Sequence, residues 1–375
     1  MVGRCRRCPS RRTSKLGLTV NQIKRAGCQA IVLSAALGTI ATTLHPDWRQ
    51  LVAESYKSAV ERAEEAGKRQ KEDVEDRLEE LKKEKKEKKD SGGSAGETSP
   101  LAPAGMFVNA TYSEIDRDTR REPGYDAKIK ALTVGGDMYL RNNLLVGVAV
   151  TVNRDDTTYV DNLGDLDTDA VALGLYGTYN PTDTTFIDMI AGYGWLEYDG
   201  RRNVPNDVAE ASYDGRRLNF GVTFGKDWYS GRYSYGPRLK YTYSKTKIDG
   251  FTETAANLNN ALDIQGYDVE SNLAEIGVTG ATVFSQTWGV LSAQASLFYQ
   301  HEFSNDAQLI HLTNVGTGTP STFLTDDPDR NVFLGSLGVV AIREQGFQIY
   351  GNVEKLFGHS YMDRWTVNGG VRIEF

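Results

Sequence analysis

Apolar and polar residues alternate at period two in one segment after another between Met106 and Phe375. Leu132, Val134, Met138 and Leu140 alternate with Thr133, Asp137, Tyr139 and Arg141; Leu218, Phe220, Val222 and Phe224 alternate with Asn219, Gly221 and Thr223. A β-strand sends successive side chains to opposite faces. Each segment is therefore predicted to be a strand with one face suited to lipid and the other to water. Twelve are predicted, over 106–114, 127–141, 143–154, 168–180, 184–198, 215–229, 231–247, 269–285, 288–303, 330–343, 346–357 and 361–375. The last is the clearest. Trp365, Val367, Val371, Ile373 and Phe375 share one face with Gly369, while Thr366, Asn368, Arg372 and Glu374 share the other with Gly370. Such a strand can pair with the first and leave no open edge, which lipid does not tolerate.

The spacing of the strands points to an all-β barrel. Short connections at 141–143, 180–183, 230–231, 286–287 and 344–346 alternate with long polar stretches at 155–167, 199–214, 248–268 and 304–329, which are read as loops. Transmembrane barrels have short periplasmic turns and longer extracellular loops, and an even strand count returns both barrel ends to the periplasmic side. The expected fold is a twelve-stranded antiparallel transmembrane β-barrel, preceded by a long charged α-helix and a flexible linker. A mean hydropathy of −0.45 and 39% hydrophobic residues do not count against it. Barrel strands hide their apolar residues in alternation, so window hydropathy misses them. Trp195, Trp228, Trp288 and Trp365, near strand ends, read as an interfacial girdle.

Charge divides the chain further. Residues 1–27 carry eight basic side chains and no acidic one, and the apolar run CQAIVLSAALGTIATT follows. This is the pattern of an export signal over 1–43. Residues 44–90 read as a helical segment, starting at Pro46 and Asp47, with 12 basic and 13 acidic residues between Leu51 and Asp90. Its apolar positions are sparse, so a solvated helix with i,i+4 ion pairs is favoured over a coiled coil. Residues 91–105 (SGGSAGETSPLAPAG) read as a Gly/Ser/Pro linker and 106–375 as the barrel. The basic tail of the helix has no aromatic interleaving, so no nucleic-acid partner is expected.

Candidate chemistry is thin. Gly92, Ser94 and Gly96 fit a nucleophile-elbow expression but lack its strand and helix, and Cys5 and Cys8 have no second cysteine pair. Asp165, Asp167 and Asp169 open like a calcium loop, yet Ala170 and Tyr176 stand at its glycine and glutamate positions. No enzyme, metal or cofactor is expected. Inward-facing Asp137, Arg238, Lys240, Arg372 and Glu374 are expected to line the lumen, either gripping a threading segment or satisfying one another.

The segments LDTD leading into ALGLYGTY, FID with AGYGWLEYDGRR, IDGF, TWGVLSAQASLFYQHEF, DDPDR and the terminal GGVRIEF carry, in that order and spacing, a resemblance to the β-barrel translocator domain of autotransporters, the type V secretion family. The resemblance implies an outer-membrane barrel in a Gram-negative bacterium that takes part in moving an N-terminal segment to the cell surface. It further implies insertion by the barrel assembly machinery with periplasmic chaperones. The final strand, through Trp365, Val367, Val371, Ile373 and Phe375, would be the assembly signal, and outer-membrane lipid the surrounding partner. The chain departs from the family in offering only a short segment between signal and barrel, with no solenoid repeat. An outer-membrane barrel without an exported passenger, acting through its loops or as a pore, is the alternative.

Overall fold

The computed structural model describes residues 104–374 apart from 119–122, 142, 183, 305–308, 325–328 and 344–346. The expected export signal, the charged helix, residues 91–103 of the linker and Phe375 lie outside the described residues.

In chain order the strands are β1 (Ala104–Arg117), β2 (Tyr125–Arg141), β3 (Leu144–Tyr159), β4 (Gly164–Thr182), β5 (Thr185–Val204), β6 (Asp207–Lys226), β7 (Trp228–Ser230), β8 (Tyr233–Ile248), β9 (Phe251–Thr252), β10 (Leu262–Ile264), β11 (Tyr267–Gln286), β12 (Gly289–Glu302), β13 (Leu309–Asn314), β14 (Pro320–Leu324), β15 (Asn331–Arg343), β16 (Phe347–Phe357) and β17 (Met362–Glu374). Twelve of them form a closed antiparallel barrel. Neighbours in sequence pair around the ring, β8 pairs with β11, and β17 pairs with β1 to close it. The closing register sets Gly105 opposite Glu374, Val108 opposite Val371 and Arg117 opposite Met362. With every wall strand paired on both sides, no backbone row faces lipid unsatisfied.

Alternation decides which way each side chain points. On β2, Leu132, Val134 and Met138 are exposed on the outer face, while Thr133 and Asp137 are buried on the inner one. On β6, Leu218, Phe220 and Phe224 face out and Asn219 and Thr223 face in. The outer apolar faces of all twelve strands make one band. Tyr193, Trp195, Tyr299 and Phe333 edge it on one side, and Trp228, Tyr235 and Trp288 on the other, as in an aromatic girdle. Inside, some aromatic rings lie flat over a glycine on the neighbouring strand. A Cβ at Gly147 would stand 2.2 Å from the Tyr176 ring, and one at Gly370 2.4 Å from that of Tyr350.

Two of the stretches read as loops are not loops. Residues 155–167 and 199–214 continue the strands well past the girdle, and the chain reverses only at 160–163 and at Pro205–Asn206, where Asn206 takes a φ of 62°. The polar composition there reflects water on the outer face. On that face Lys130 pairs with Asp156 and Arg201 with Glu210 across strands, and Arg154 pairs with Asp156 along β3, while Leu166, Leu196 and Tyr198 keep the inner face apolar. Within the stretches 248–268 and 304–329, residues 251–264 and 309–324 do leave the wall and fold into a second, four-stranded sheet in the order β14-β13-β10-β9.

Candidate functional site

The inner surface of the barrel changes character along its length. At the short-turn end it combines a buried apolar cluster of Phe107, Leu145, Ala149, Tyr176 and Ile190 with fixed polar pairs. Tyr176 donates from its hydroxyl to Asp137 Oδ2 at 2.9 Å, and Arg372 Nη2 reaches Asp137 Oδ1 at 3.4 Å, so β2, β4 and β17 are tied across the closing seam. On β8, Arg238 donates to Asp227 Oδ1 at 2.7 Å and to the carbonyls of Lys226 and Pro237, and its guanidinium lies 4.7 Å above the Phe186 ring. Lys240 Nζ stands 4.3 Å over Phe298. Thr178 donates to Asp188 at 2.9 Å, and farther along the wall, toward the long-loop end, Gln300 donates to Glu275 at 2.9 Å. Fixed pairs of this kind hold charge inside a barrel at low net cost, because each ion keeps a hydrogen-bonded partner when it leaves water.

At the long-loop end the lumen becomes apolar and the second sheet lies across it. Leu262 and Ile264 of β10, Ile310 and Leu312 of β13 and Phe251 of β9 form one buried cluster with inward side chains of β1 through β6, β8 and β11. Phe298, Val332, Leu334 and Leu356 form a neighbouring cluster on β12, β15 and β16. Met362 of β17 packs against both. Between them the two clusters, linked by the partly buried Met362, draw on all twelve wall strands. Burying Leu262, Ile264, Ile310 and Leu312 contributes on the order of 6–12 kcal/mol before ordering costs. Tyr198, Tyr213 and Phe251 stack in series, with centroids 4.8 and 3.9 Å apart, carrying the β5–β6 wall into the second sheet.

Three polar contacts fasten this sheet, hereafter the lid, to the β5–β6 hairpin. The first is a backbone bridge in which Glu210 and Thr254 exchange N–H to carbonyl bonds of 2.9 and 2.8 Å along the part of β6 that outruns β8. The second is Asp207 at the hairpin tip, beyond the membrane band. Its carboxylate accepts from the Asn260 side chain and from the backbone N–H groups of Asn257, Val208 and Ala256. Those bonds, led by the one from Asn260, favour the ionised form and lower its pKa to about 2. The third is Arg202, which binds Glu253 in a two-pronged pair and also donates to the Asn260 carbonyl at 2.7 Å. Glu253 in turn accepts from the Leu262 N–H at 3.0 Å.

Of the residues singled out in the sequence, Asp137, Arg238 and Arg372 are buried on the inner face and Lys240 is partly buried there. Asp137 and Arg372 meet; Arg238 and Lys240 belong to β8 and take other partners. The Glu374 side chain and Phe375 lie outside the described residues. Trp365, Val367, Val371 and Ile373 point outward, with Trp365 beside Tyr112 at 5.6 Å. Asp165, Asp167 and Asp169 share the outer face of β4, where Arg154 comes within 3.7 Å of Asp167, and no cluster able to hold a metal ion occurs among the described residues. Sequence reasoning missed Arg202, Asp207, Glu253 and the lid. The signal was present in Phe251, Leu262, Ile264, Ile310 and Leu312, which are too apolar for loops that only face water.

Comparison with known proteins agrees with this architecture. The family model for the autotransporter beta-domain matches residues 106–354. Outer membrane protein B of Rickettsia japonica is 24% identical over 149 residues, covering 36% of this chain and 9% of that protein. Outer membrane protein B of Rickettsia rickettsii is 22% identical over 179 residues, covering 44% and 11%. The chain thus spans about a tenth of the length of these relatives. Among solved structures, the translocator domain of the autotransporter NalP from Neisseria meningitidis superposes with a TM-score of 0.60 at 13% identity, covering 76% of this chain and 92% of that one. The beta domain of the Bordetella autotransporter BrkA gives 0.56 at 15% identity, covering 72% and 99%. The closed twelve-stranded ring, its outer apolar band and the matched segment lead to one conclusion: this chain belongs to the autotransporter beta-domain family and is a barrel of the Gram-negative outer membrane.

Proposed function

We propose that the barrel takes part in translocating its own N-terminal segment across the outer membrane. The observation that carries this reading is the closed ring in which β1 begins, at Ala104, at the same short-turn end as the last strand. Short turns mark the periplasmic side, so the chain enters the barrel domain from the periplasm, as a segment bound for the surface must. In this reading 1–43 is an export signal, 44–90 is the segment carried and 91–105 is its linker. The barrel reaches its membrane through periplasmic chaperones and the barrel assembly machinery, which reads the outward face of β17 at Trp365, Val367, Val371 and Ile373 and the terminal Phe375. Asp137, Arg238, Lys240, Arg372 and Glu374 line the lumen, and no catalytic group is part of the scheme. An epitope tag at Ser58, probed with antibody on intact cells, tests it. Surface labelling is expected; labelling only after permeabilisation would sink the proposal.

The apolar layer across the mouth favours a second reading, in which the N-terminal segment stays periplasmic and the barrel serves as an outer-membrane structural element. The same tag separates the two. A porin-like role fits least, because a hydrated channel needs a polar path through its full height.

A further inference from the structure

We propose that the lid is a gate closing the extracellular mouth, with Arg202 and Glu253 as its latch. The inference concerns the state of the exit and holds whether or not an N-terminal segment is exported.

Three observations combine. In the layer at the mouth, Phe251, Leu262, Ile264, Ile310 and Leu312 of the lid pack against inward wall side chains of β1 through β6, β8 and β11, so the lid's lower face is an integral part of the closure. The lid is a unit of its own. Its strands pair with each other through β9–β10, β10–β13 and β13–β14, whereas its backbone pairing to the wall, among the described residues, is the single bridge between Glu210 and Thr254. It is also two-faced. Ile264 and Ile310 point into the seal, while Asp263, Gln265 and His311 point to solvent, so the sheet is stable only where its lower face is covered.

The chemistry of the latch suits a gate better than a permanent plug. A buried ion pair adds little over well-packed apolar residues, because desolvation offsets most of the attraction. It differs from an apolar contact in what happens on separation, when both ions recover full hydration. Arg202 and Glu253 are buried together with good geometry, and each carries a further bond to the lid backbone. Closed and open thus become two discrete states, separated by the loss of a small set of directional bonds plus the exposure of one apolar face.

The test uses the full chain, with Cys5, Cys8 and Cys28 replaced by serine and a single reporter cysteine introduced. Ala172→Cys places the thiol in the small cavity beneath the seal, lined also by Leu196, Asn153 and Arg217. Thr322→Cys places it on the exposed surface of the lid. Intact cells are treated with a linear polyethylene-glycol maleimide too large for porins, and folded barrel is scored by heat-shifted gel mobility. With the native latch, Thr322→Cys labels and Ala172→Cys does not. Adding Glu253→Gln, or separately Ile264→Asp to break the seal, makes Ala172→Cys label while the heat shift persists. Ala172→Cys labelling as fast as Thr322→Cys behind an intact lid would show that nothing is closed. Persistent protection of Ala172→Cys in both opened variants, with folded barrel, would overturn the gate as well.

Discussion

Arg202 on β5 and Glu253 beside β9 form a bidentate ion pair, with Nη2 to Oε2 at 2.7 Å and Nε to Oε1 at 3.1 Å, and side-chain exposures of 7% and 0%. They lie 51 positions apart and join the barrel wall to the sheet across its mouth. Truncating one partner strands the other as a buried charge. Arg202→Met is therefore expected to destabilise the lid by about 3–5 kcal/mol, while the pair Arg202→Met with Glu253→Leu restores most of that loss. Hydrogen exchange of the lid amides reads both. Equal loss in the single and double variants would show that the pair acts through something other than its charges.

Asp207 predicts a pH dependence of known sign. Its folded pKa is about 2, below an unfolded value near 3.9. A depressed carboxyl stabilises the folded form above the unfolded value, and that contribution fades as pH falls through the folded one. The tip contact at Asn257 and Asn260 should be unchanged from neutral pH down to about 4 and loosen toward pH 2. Asp207→Asn should loosen it at every pH and abolish the acid step. Protease nicking of residues 254–261 across that range is the measurement, and a loss of protection already at pH 6 would contradict the assignment.

Gly147 faces Tyr176 across β3 and β4, and its missing Cβ is the space the ring occupies. Gly147→Val pushes the ring off, which breaks its 2.9 Å bond to Asp137 and disturbs the seam through Arg372. The temperature of the gel-mobility shift should fall, and more so than for Tyr176→Phe, which removes the hydroxyl alone. A smaller effect of Gly147→Val would mean the ring does not depend on that space.

Leu173 lies on the outer face of β4 within the apolar band. Leu173→Arg is expected to cost about 2–4 kcal/mol in lipid, whereas the same charge at Asp169, two turns of the pleat nearer water, should cost about 0–1 kcal/mol. Folding into lipid vesicles under urea gives both numbers. Similar penalties at the two positions would mean the band has been misplaced.

Much of the barrel is legible because its environment repeats at period two. Leu132, Thr133 and Val134 declare their faces locally, and the strand cores inferred from such triplets match the observed ones to within a few residues inside the band. Past the girdle the rule weakens. At 155–167 and 199–214 water wets the outer face, charged residues such as Asp156, Asp167 and Arg201 dominate, and a strand there resembles a loop until its ladder partners are known. For the lumen, sequence indicates that Asp137 and Arg372 share a facing direction. It does not indicate that Tyr176 joins them, since that depends on the shear between β2, β4 and β17.

The sequence alone determined that the chain builds a closed ring of alternating strands for a membrane, because lipid on one side and a polar interior on the other impose the same choice on every second residue. Tertiary structure decided what closes that ring's mouth. Phe251, Ile264, Ile310 and Leu312 come from two connections far apart in the chain, and Arg202 and Glu253 find each other only once those connections pair into one sheet. No local period encodes such a meeting; it rests on long-range pairing and on shape complementarity against the wall.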